Sequence, residues 1–174
     1  WIWVMDDDAI PMRDALEELL KPDQLRGNVY ALASIVLYPD GNICVIPRRL
    51  FDPIAMKERP LDLRYYREAY FDVDTASFVG LLISRQAIAE VGFPLKEFFI
   101  YYDDTEYSLR IRNRGGKILT IPKSKIVHKF EWERQHERTR KAPLSWRTFY
   151  GNRNMLYTYR KYGRPSINSY INFY

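Results

Sequence analysis

Three consecutive carboxylates, Asp6, Asp7 and Asp8, follow the apolar run that begins the sequence. Charges this close repel one another unless a cation lies between them, and a hard divalent cation is the natural partner. Ligands also tend to bind where strands of an α/β fold end. A helix starting at Pro11 would be capped by Ile10, so the carboxylates lie too far upstream to cap it. We therefore expect metal or ligand binding here, with a solvated acidic turn as the alternative.

A second acidic pair, Asp103 and Asp104, follows Tyr101 and Tyr102 and begins a predicted helix. Asp103 and Glu106 have the spacing of a capping box, which would explain both residues structurally but leaves Asp104 without a structural task. A partly desolvated carboxylate near a helix N-terminus can act as a general base, typically worth about 10²–10⁴ in rate. The spacing alone leaves capping and catalysis equally open.

The two histidines and the one cysteine give weaker signals. His128 lies in the strand-like segment 126–130, where a single histidine is more often structural than a ligand. His136 lies in the charged run 131–141 and is expected in solvent. Cys44 alternates with apolar neighbours, which indicates a small core residue. A single cysteine excludes an intrachain disulfide and a Cys-based zinc site, and makes a reducing compartment the easier assumption.

Apolar patterning predicts an alternating α/β arrangement to position these residues. Strands are predicted at 1–5 (buried), 29–38, 43–50, 78–84, 117–121 and 125–130, and helices at 11–20, 85–91, 103–113 and 145–162. The turn Pro39-Asp40-Gly41-Asn42 predicts a hairpin between the second and third strands. Residues 51–70 combine proline, charge and tyrosine without a period and predict a long surface loop. Apolar residues roughly in phase along the last helix are Trp146, Phe149, Tyr150, Leu156 and Tyr159.

Composition limits the class of protein. The 174 residues are 47% hydrophobic and 28% charged, which is ordinary globular usage and fits one folded domain. The longest apolar stretches are too short to cross a bilayer as a helix. A net charge of +5 and 16% aromatic residues suit stacking surfaces and attraction to phosphates or anionic membranes.

Four segments, taken in order, resemble the second half of an inverting GT-A glycosyltransferase of the family-2 kind, closest to bacterial galactofuranosyltransferase-like and rhamnosyltransferase-like enzymes. WVMDDDAIP resembles the DXD motif, and FPLKEFFIYYDDTEYSLRIRNRGGKI resembles the acceptor-side segment with the catalytic base. IVHKF resembles the strand with the third metal ligand, and FYGNRNMLY resembles an aromatic and Arg-Asn helix that often follows. The resemblance covers most of residues 1–160. It implies an α/β fold with a GT-A-like mixed sheet and flanking helices.

The resemblance implies a metal site. Asp6 and Asp8 match ligands of the Mn²⁺ or Mg²⁺ ion that holds the sugar-nucleotide diphosphate, and Asp7 matches a position near the nucleotide sugar. His128 matches the remaining protein ligand, which reverses the interpretation drawn from its setting alone. Oxygen ligands with one imidazole suit a manganese-like ion, which can neutralise charge on a departing diphosphate.

The resemblance also implies an acceptor site. Asp104 matches the base that deprotonates the acceptor hydroxyl, and Asp103 matches a carboxylate that contacts the acceptor. The aromatic residues Phe78, Tyr101 and Tyr102 would hold the acceptor by stacking. Attack from the face opposite the leaving group would invert the anomeric centre.

The resemblance predicts that residues 1–144 form the metal and acceptor side of a catalytic domain and that 145–174 form a C-terminal helical segment. Because the chain starts about where the nucleotide-binding half of such enzymes ends, we expect that half to be missing, the fragment to bind donor poorly, and activity to belong to a longer chain.

The expected function is metal-dependent inverting transfer from a UDP- or dTDP-sugar to a bacterial cell-wall polysaccharide or lipid-linked glycan, without nucleic acid as a partner. We expect a cytoplasmic location, with peripheral contact at the inner membrane face through 145–174. One alternative is a basic-aromatic module that binds nucleic acid or anionic membrane, although the acidic cluster disfavours it. Another is a metal-dependent phosphoester hydrolase.

Overall fold

The computed structural model describes residues 1–21, 27–129 and 145–164. In these ranges the strands are β1 (Ile2–Val4), β2 (Ala9–Pro11), β3 (Val29–Leu37), β4 (Ile43–Cys44), β5 (Arg48–Asp52), β6 (Lys57–Pro60), β7 (Phe71–Val73), β8 (Thr75–Ala76), β9 (Leu81–Ile83) and β10 (Lys117–His128). The α-helices there are α1 (Ala15–Leu19), α2 (Arg85–Val91), α3 (Asp103–Asn113) and α4 (Trp146–Tyr162), with 3₁₀ turns at Leu63–Arg67 and Lys96–Phe98. The predicted α/β class is confirmed.

A mixed seven-stranded sheet forms the centre of the molecule. Its order is β1-β9-β3-β10-β2, with β4 paired to β3 and β7 paired to β10. The long strands β3 and β10 run parallel, and the other pairs are antiparallel. Every residue of β3 is buried, as expected for a strand covered on both faces. The pairing of Ala9 with His128 brings the start of β2 to the end of β10.

A smaller sheet of order β6-β5-β8 is joined to the first by the buried side chain of Arg48. Its guanidinium donates to the carbonyl of Ser34 on β3, at 3.0 Å from Nε and 2.6 Å from Nη2. It also donates to the carbonyls of Pro47 at 2.9 Å and Val79 at 2.7 Å. Burial lowers the pKa of Arg48 to about 10, so the group stays charged at neutral pH.

The predicted helix that starts at Pro11 is wrong. Pro11 ends β2, paired with Ile126, and the Met12 amide continues the ladder to the Lys125 carbonyl at 2.9 Å. Proline is tolerated here because β2 is an edge strand. The helix that follows starts only at Ala15.

The predicted long loop at 51–70 is also wrong, because β5 continues to Asp52 and pairs antiparallel with β6. Asp52 Oδ1 accepts from the amides of Ile54 and Ala55, both at 2.9 Å, and so closes the turn between these strands. The predicted strand 43–50 divides into β4 and β5, which lie in different sheets. The hairpin of β3 and β4 is confirmed.

Three further expectations need correction. Predicted strands 117–121 and 125–130 form the single strand β10, whose pairing shifts between Ile121 and Lys125 because of a local irregularity. The first strand is an edge strand rather than a buried one, with Ile2 51% exposed. The apolar residues of α4 do not share one buried stripe, since Tyr159 is buried whereas Phe149 is 65% exposed.

Several sequence predictions fall outside the described residues. They are those for His136, for residue 130 of the predicted strand 125–130 and for residues 165–174 of the C-terminal segment. The division at residue 144 falls in the same undescribed range and stays a prediction. Within the described part of the chain, no helix combines the length and apolar character needed to cross a membrane.

Gly80 provides a test of how tightly the central sheet is packed. Its φ of +73° lies in the left-handed region, and an added Cβ would overlap Ile126 Cδ1 and lie 3.2 Å from Ser34 Cβ. Gly115 has a similar φ of +78° with open space around it. We expect Gly115→Ala to lower the free energy of unfolding by about 1 kcal/mol, and Gly80→Ala by about 3 kcal/mol, because the clash adds to the strain. Urea denaturation measures both, and equal losses would contradict the packing described.

Candidate functional site

Two chain segments bring together the predicted metal ligands Asp6, Asp8 and His128. The carboxylates lie in the turn between β1 and β2, where the Ala9 amide donates to the Asp6 carbonyl at 3.2 Å. His128 ends β10, directly beside the start of β2, and the Lys129 amide donates to the Asp8 carbonyl at 3.2 Å. The β2–β10 pairing therefore fixes the histidine against the acidic turn.

The geometry of this cluster fits one bound cation. His128 Nε2 lies 2.9 Å from Asp8 Oδ1 and 3.4 Å from Asp6 Oδ2, and one ligand atom from each residue lies within 4.8 Å of the others. Ligands about 2.1 Å from a shared ion are separated by about 3.0–3.4 Å in octahedral or tetrahedral geometry. Two carboxylates and one imidazole are also a donor set that manganese accepts.

Electrostatics at the cluster favour a positive charge. A hydrogen bond to Asp6, with the charges of Asp8 and Asp6, raises the pKa of His128 above its usual value although burial opposes this. His128 is only 3% exposed, whereas the side chain of Asp6 is 51% exposed. The cluster thus has a buried side at His128 and a side that is open to solvent at Asp6. Asp7 is exposed beside it.

The second acidic pair lies in the first turn of α3. Asp104 Oδ1 accepts from the Thr105 amide at 2.6 Å, which orients its carboxylate. Burial, and then the charge of Asp104, raise the pKa of Asp103 to about 6, with a smaller contribution from Asp6.

The capping-box interpretation of Asp103 and Glu106 is wrong. The N-cap of α3 is Tyr102, which adopts the left-handed conformation and makes no side-chain cap. Glu106 is fully buried and accepts from Arg110 Nη2 at 2.6 Å and Lys161 Nζ at 3.1 Å, so its carboxylate joins α3 to α4.

The three predicted acceptor aromatics occupy different surroundings. Phe78 is partly buried and packs against Tyr107, with ring centroids 6.0 Å apart. Tyr102 is half-buried and makes an edge contact with Tyr159 at 5.9 Å. Tyr101 is 40% exposed, and so has the most open ring of the three.

A polar network beneath α3 was not predicted from the sequence. Glu58 accepts from Thr75 at 2.6 Å and from Thr105 at 3.3 Å, and pairs with Arg49 Nη1 at 3.2 Å. These residues come from β5, β6, β8 and α3, so no local spacing connects them. The alternation of charge along β6, where Glu58 lies between Lys57 and Arg59, was the one available signal.

Comparison with known proteins gives three relevant similarities. No family model matches the chain. Over 85 residues, or 49% of this chain, it is 32% identical to galactofuranosyltransferase GlfT2 of Mycobacterium tuberculosis and 33% identical to that of Mycolicibacterium smegmatis. The match spans only 12% of either relative. The crystal structure of GalNAc-T7 with UDP, GalNAc and Mn²⁺ superposes with a TM-score of 0.54 at 16% identity, over 75% of this chain and 27% of that one.

These similarities agree with the observed fold. The structural match shows a GT-A-like fold, and the sequence matches support a partial GT-A-like glycosyltransferase region. The resemblance stated from the four motifs is confirmed at this level.

We expect Mn²⁺ to bind the chain through Asp6, Asp8 and His128. Substitutions Asp8→Asn and His128→Gln should each weaken binding at least about tenfold, because each removes one ligand from the ion. Asp14→Asn, an exposed acidic residue at the start of α1, should leave the affinity unchanged. Calorimetry at neutral pH measures all four proteins, and unchanged affinity in both ligand variants would exclude this site.

The raised pKa of Asp103 predicts a pH-dependent effect on stability. The folded protein binds this proton more tightly than the unfolded chain, whose carboxyl has the ordinary value of 3.8. The group therefore lowers the free energy of unfolding as pH rises through the interval from 3.8 to about 6. Asp103→Asn should stabilise the chain by about 1–2 kcal/mol near pH 7.5, allowing for partial exposure, and by almost nothing near pH 3.5.

Urea denaturation at the two pH values measures this difference. The matched control is Glu68→Gln, which alters an exposed carboxylate and should change stability by less than about 0.5 kcal/mol. A destabilised Asp103→Asn near pH 7.5 would mean that this carboxylate forms a favourable native interaction instead.

Proposed function

We propose that this chain forms the metal and acceptor side of an enzyme that transfers a sugar from a nucleotide-diphosphate sugar to an acceptor hydroxyl, with inversion and with a divalent metal. The observation that carries the proposal is the convergence of Asp6, Asp8 and His128 within a GT-A-like fold. The sequence similarity to galactofuranosyltransferases supports the same class of reaction.

The residues of the cluster would hold Mn²⁺ or Mg²⁺ through two carboxylate oxygens and one imidazole nitrogen. The ion, when bound, supplies Lewis-acid stabilisation of the negative charge on a departing diphosphate. The β2–β10 pairing fixes the backbone of His128 beside the acidic turn, which supports its role as a ligand. The exposed side of Asp6 leaves room for donor oxygens.

Asp104 is the proposed general base. Its carboxylate would accept the proton of the acceptor hydroxyl as the hydroxyl oxygen forms the new glycosidic bond and the bond to the diphosphate breaks. The Thr105 amide holds one carboxylate oxygen and leaves the other for this proton. Asp103, ionised above about pH 6, would accept a hydrogen bond from the acceptor and orient it.

The donor and acceptor are proposed as classes. A UDP-sugar or dTDP-sugar is the proposed donor, and a bacterial cell-wall glycan or lipid-linked glycan is the proposed acceptor. The names of the relatives support transfer of a sugar, and the solved neighbour was crystallised with UDP. Tyr101 and Tyr102 lie directly before the acidic pair, where their rings can stack on an acceptor sugar.

A second candidate function is contact with an anionic membrane surface. Phe99, Trp146 and Phe149 are 70%, 54% and 65% exposed, and the rings of Phe99 and Trp146 are 5.9 Å apart. The guanidinium of Arg147 lies 5.2 Å from the Trp146 ring centre. Exposed aromatic and basic side chains favour contact with anionic lipid headgroups. Such contact would place the protein beside a lipid-linked acceptor.

The test measures sugar transfer by the full-length protein in the presence of Mn²⁺. The substrates are glycan acceptors and a panel of UDP- and dTDP-sugars that includes UDP-galactofuranose. We expect Asp104→Asn to lower kcat at least about 100-fold, because the acceptor loses its base. Asp103→Asn should mainly raise the acceptor KM. Product anomers identified by NMR establish inversion or retention.

The matched control is the exposed Glu68→Gln, which should keep wild-type transfer. Full activity in Asp104→Asn would remove that residue from the mechanism. Nucleotide release that needs no acceptor would identify a hydrolase, and vesicle binding without any transfer would favour the membrane module.

A further inference from the structure

Asn154 of α4 is fully buried and makes an unusual set of hydrogen bonds. The two N–H groups of its Nδ2 are shared among three backbone carbonyls, those of Phe98 at 2.9 Å, Ile100 at 2.9 Å and Tyr101 at 2.8 Å. All three carbonyls belong to the segment that leads into α3, more than fifty residues away along the chain. One side-chain amide thus holds three carbonyls of a single short segment.

That segment has a backbone conformation that ordinary residues rarely adopt. Phe99, Tyr101 and Tyr102 have positive φ angles of 59°, 63° and 63°. None is glycine, and bulky residues remain in this region only when the surroundings hold them there. The amide of Asn154 is positioned to do so, because three carbonyls that turn toward one point require a donor at that point.

The orientation of this donor is itself fixed. Arg153 donates to Asn154 Oδ1 from Nε at 3.0 Å and from Nη2 at 2.8 Å, so the amide nitrogen must face the carbonyls. Arg153 Nη2 also donates to the carbonyl of Glu97, the residue directly before the same segment. Further along α4, Lys161 bonds Glu106 of α3 at 3.1 Å and fixes the helix against α3 a second time.

The end of the segment determines where α3 begins. Tyr102 is the N-cap, and its carbonyl accepts from the Glu106 amide at 2.8 Å in the first turn. Asp103 and Asp104 are the next two residues, so their carboxylates move with this turn. A shift of the segment would change the direction of both side chains without moving the metal ligands, which lie on other elements.

We propose that Asn154 is a positioning residue that holds the segment 98–102 in its strained form and thereby directs Asp103 and Asp104 toward the acceptor. This inference rests on the proposed function, since it assigns Asn154 a role in that reaction. Displacing a reacting group by about 1 Å can cost about 100-fold in rate, so such a residue affects turnover without touching substrate.

The test compares Asn154→Ala with Asn152→Ala, which removes the same side chain from an exposed position on the same helix. In the full-length protein, Asn154→Ala should lower kcat for sugar transfer at least about tenfold. The dissociation constant for Mn²⁺ should stay within twofold. Asn152→Ala should retain wild-type values. A folded Asn154→Ala protein with wild-type kcat would overturn the proposal.

A second readout is independent of activity. NMR titration of the Asp103 carboxyl should give a pKa that falls from about 6 toward 3.8 in Asn154→Ala, since relaxation of the segment admits water. An unchanged titration would overturn the proposal even if kcat falls. If wild-type protein transfers no sugar, the proposed function fails, whereas the titration still reports whether Asn154 positions the acidic pair.

Arg153→Gln provides a milder variant if Asn154→Ala does not fold. Arg153 is largely exposed. Its substitution should leave the buried Asn154 in place but allow the side-chain amide of Asn154 to rotate. A smaller change in the same direction, in both kcat and the Asp103 pKa, is expected. No change in either quantity would overturn the proposal.

Discussion

The burial of one positive charge, that of Arg48, constrains the arrangement around the acidic turn that holds Asp6 and Asp8. A guanidinium this deeply buried is tolerated only when its N–H groups are satisfied, because the desolvation penalty is large. Carbonyls of β3 and of the chain before β9 satisfy it. The strand β5 is therefore fixed against the central sheet, and so are the chain segments that it contacts.

These contacts extend to the metal cluster through the main chain. Val79 accepts from Arg48, and the next residue, Gly80, donates to the Val4 carbonyl at 3.0 Å and accepts from the Ser34 amide at 3.0 Å. Val4 is the last residue of β1, two positions before Asp6. The acidic turn thus starts from a strand end that the packed centre of the molecule holds in place, while the β2–β10 pairing holds its other end.

The acceptor side depends on a different buried charge. Glu106 has no exposed surface, and its carboxylate is compensated by Arg110, Lys161 and Tyr162. Two of these partners come from α4, so α3 and α4 are joined by an interaction that would be costly to break. The proposed catalytic pair therefore sits on a helix whose first turn is fixed to α4 through Glu106.

The sequence by itself determined the strand and helix types of the long, strongly patterned segments, because β3 and α3 follow from local hydrophobicity. It also identified the two acidic clusters, since consecutive carboxylates are evident in the order of the residues. It could not determine that Pro11 belongs to a strand or that β5 and β6 form a hairpin, because edge pairing depends on partners distant in the chain. That His128 lies against Asp6 and Asp8, and what Glu106 and Asn154 contact, was decided only by the tertiary structure. Those roles come from residues more than fifty positions apart, and spacing within one segment carries no information about such distances.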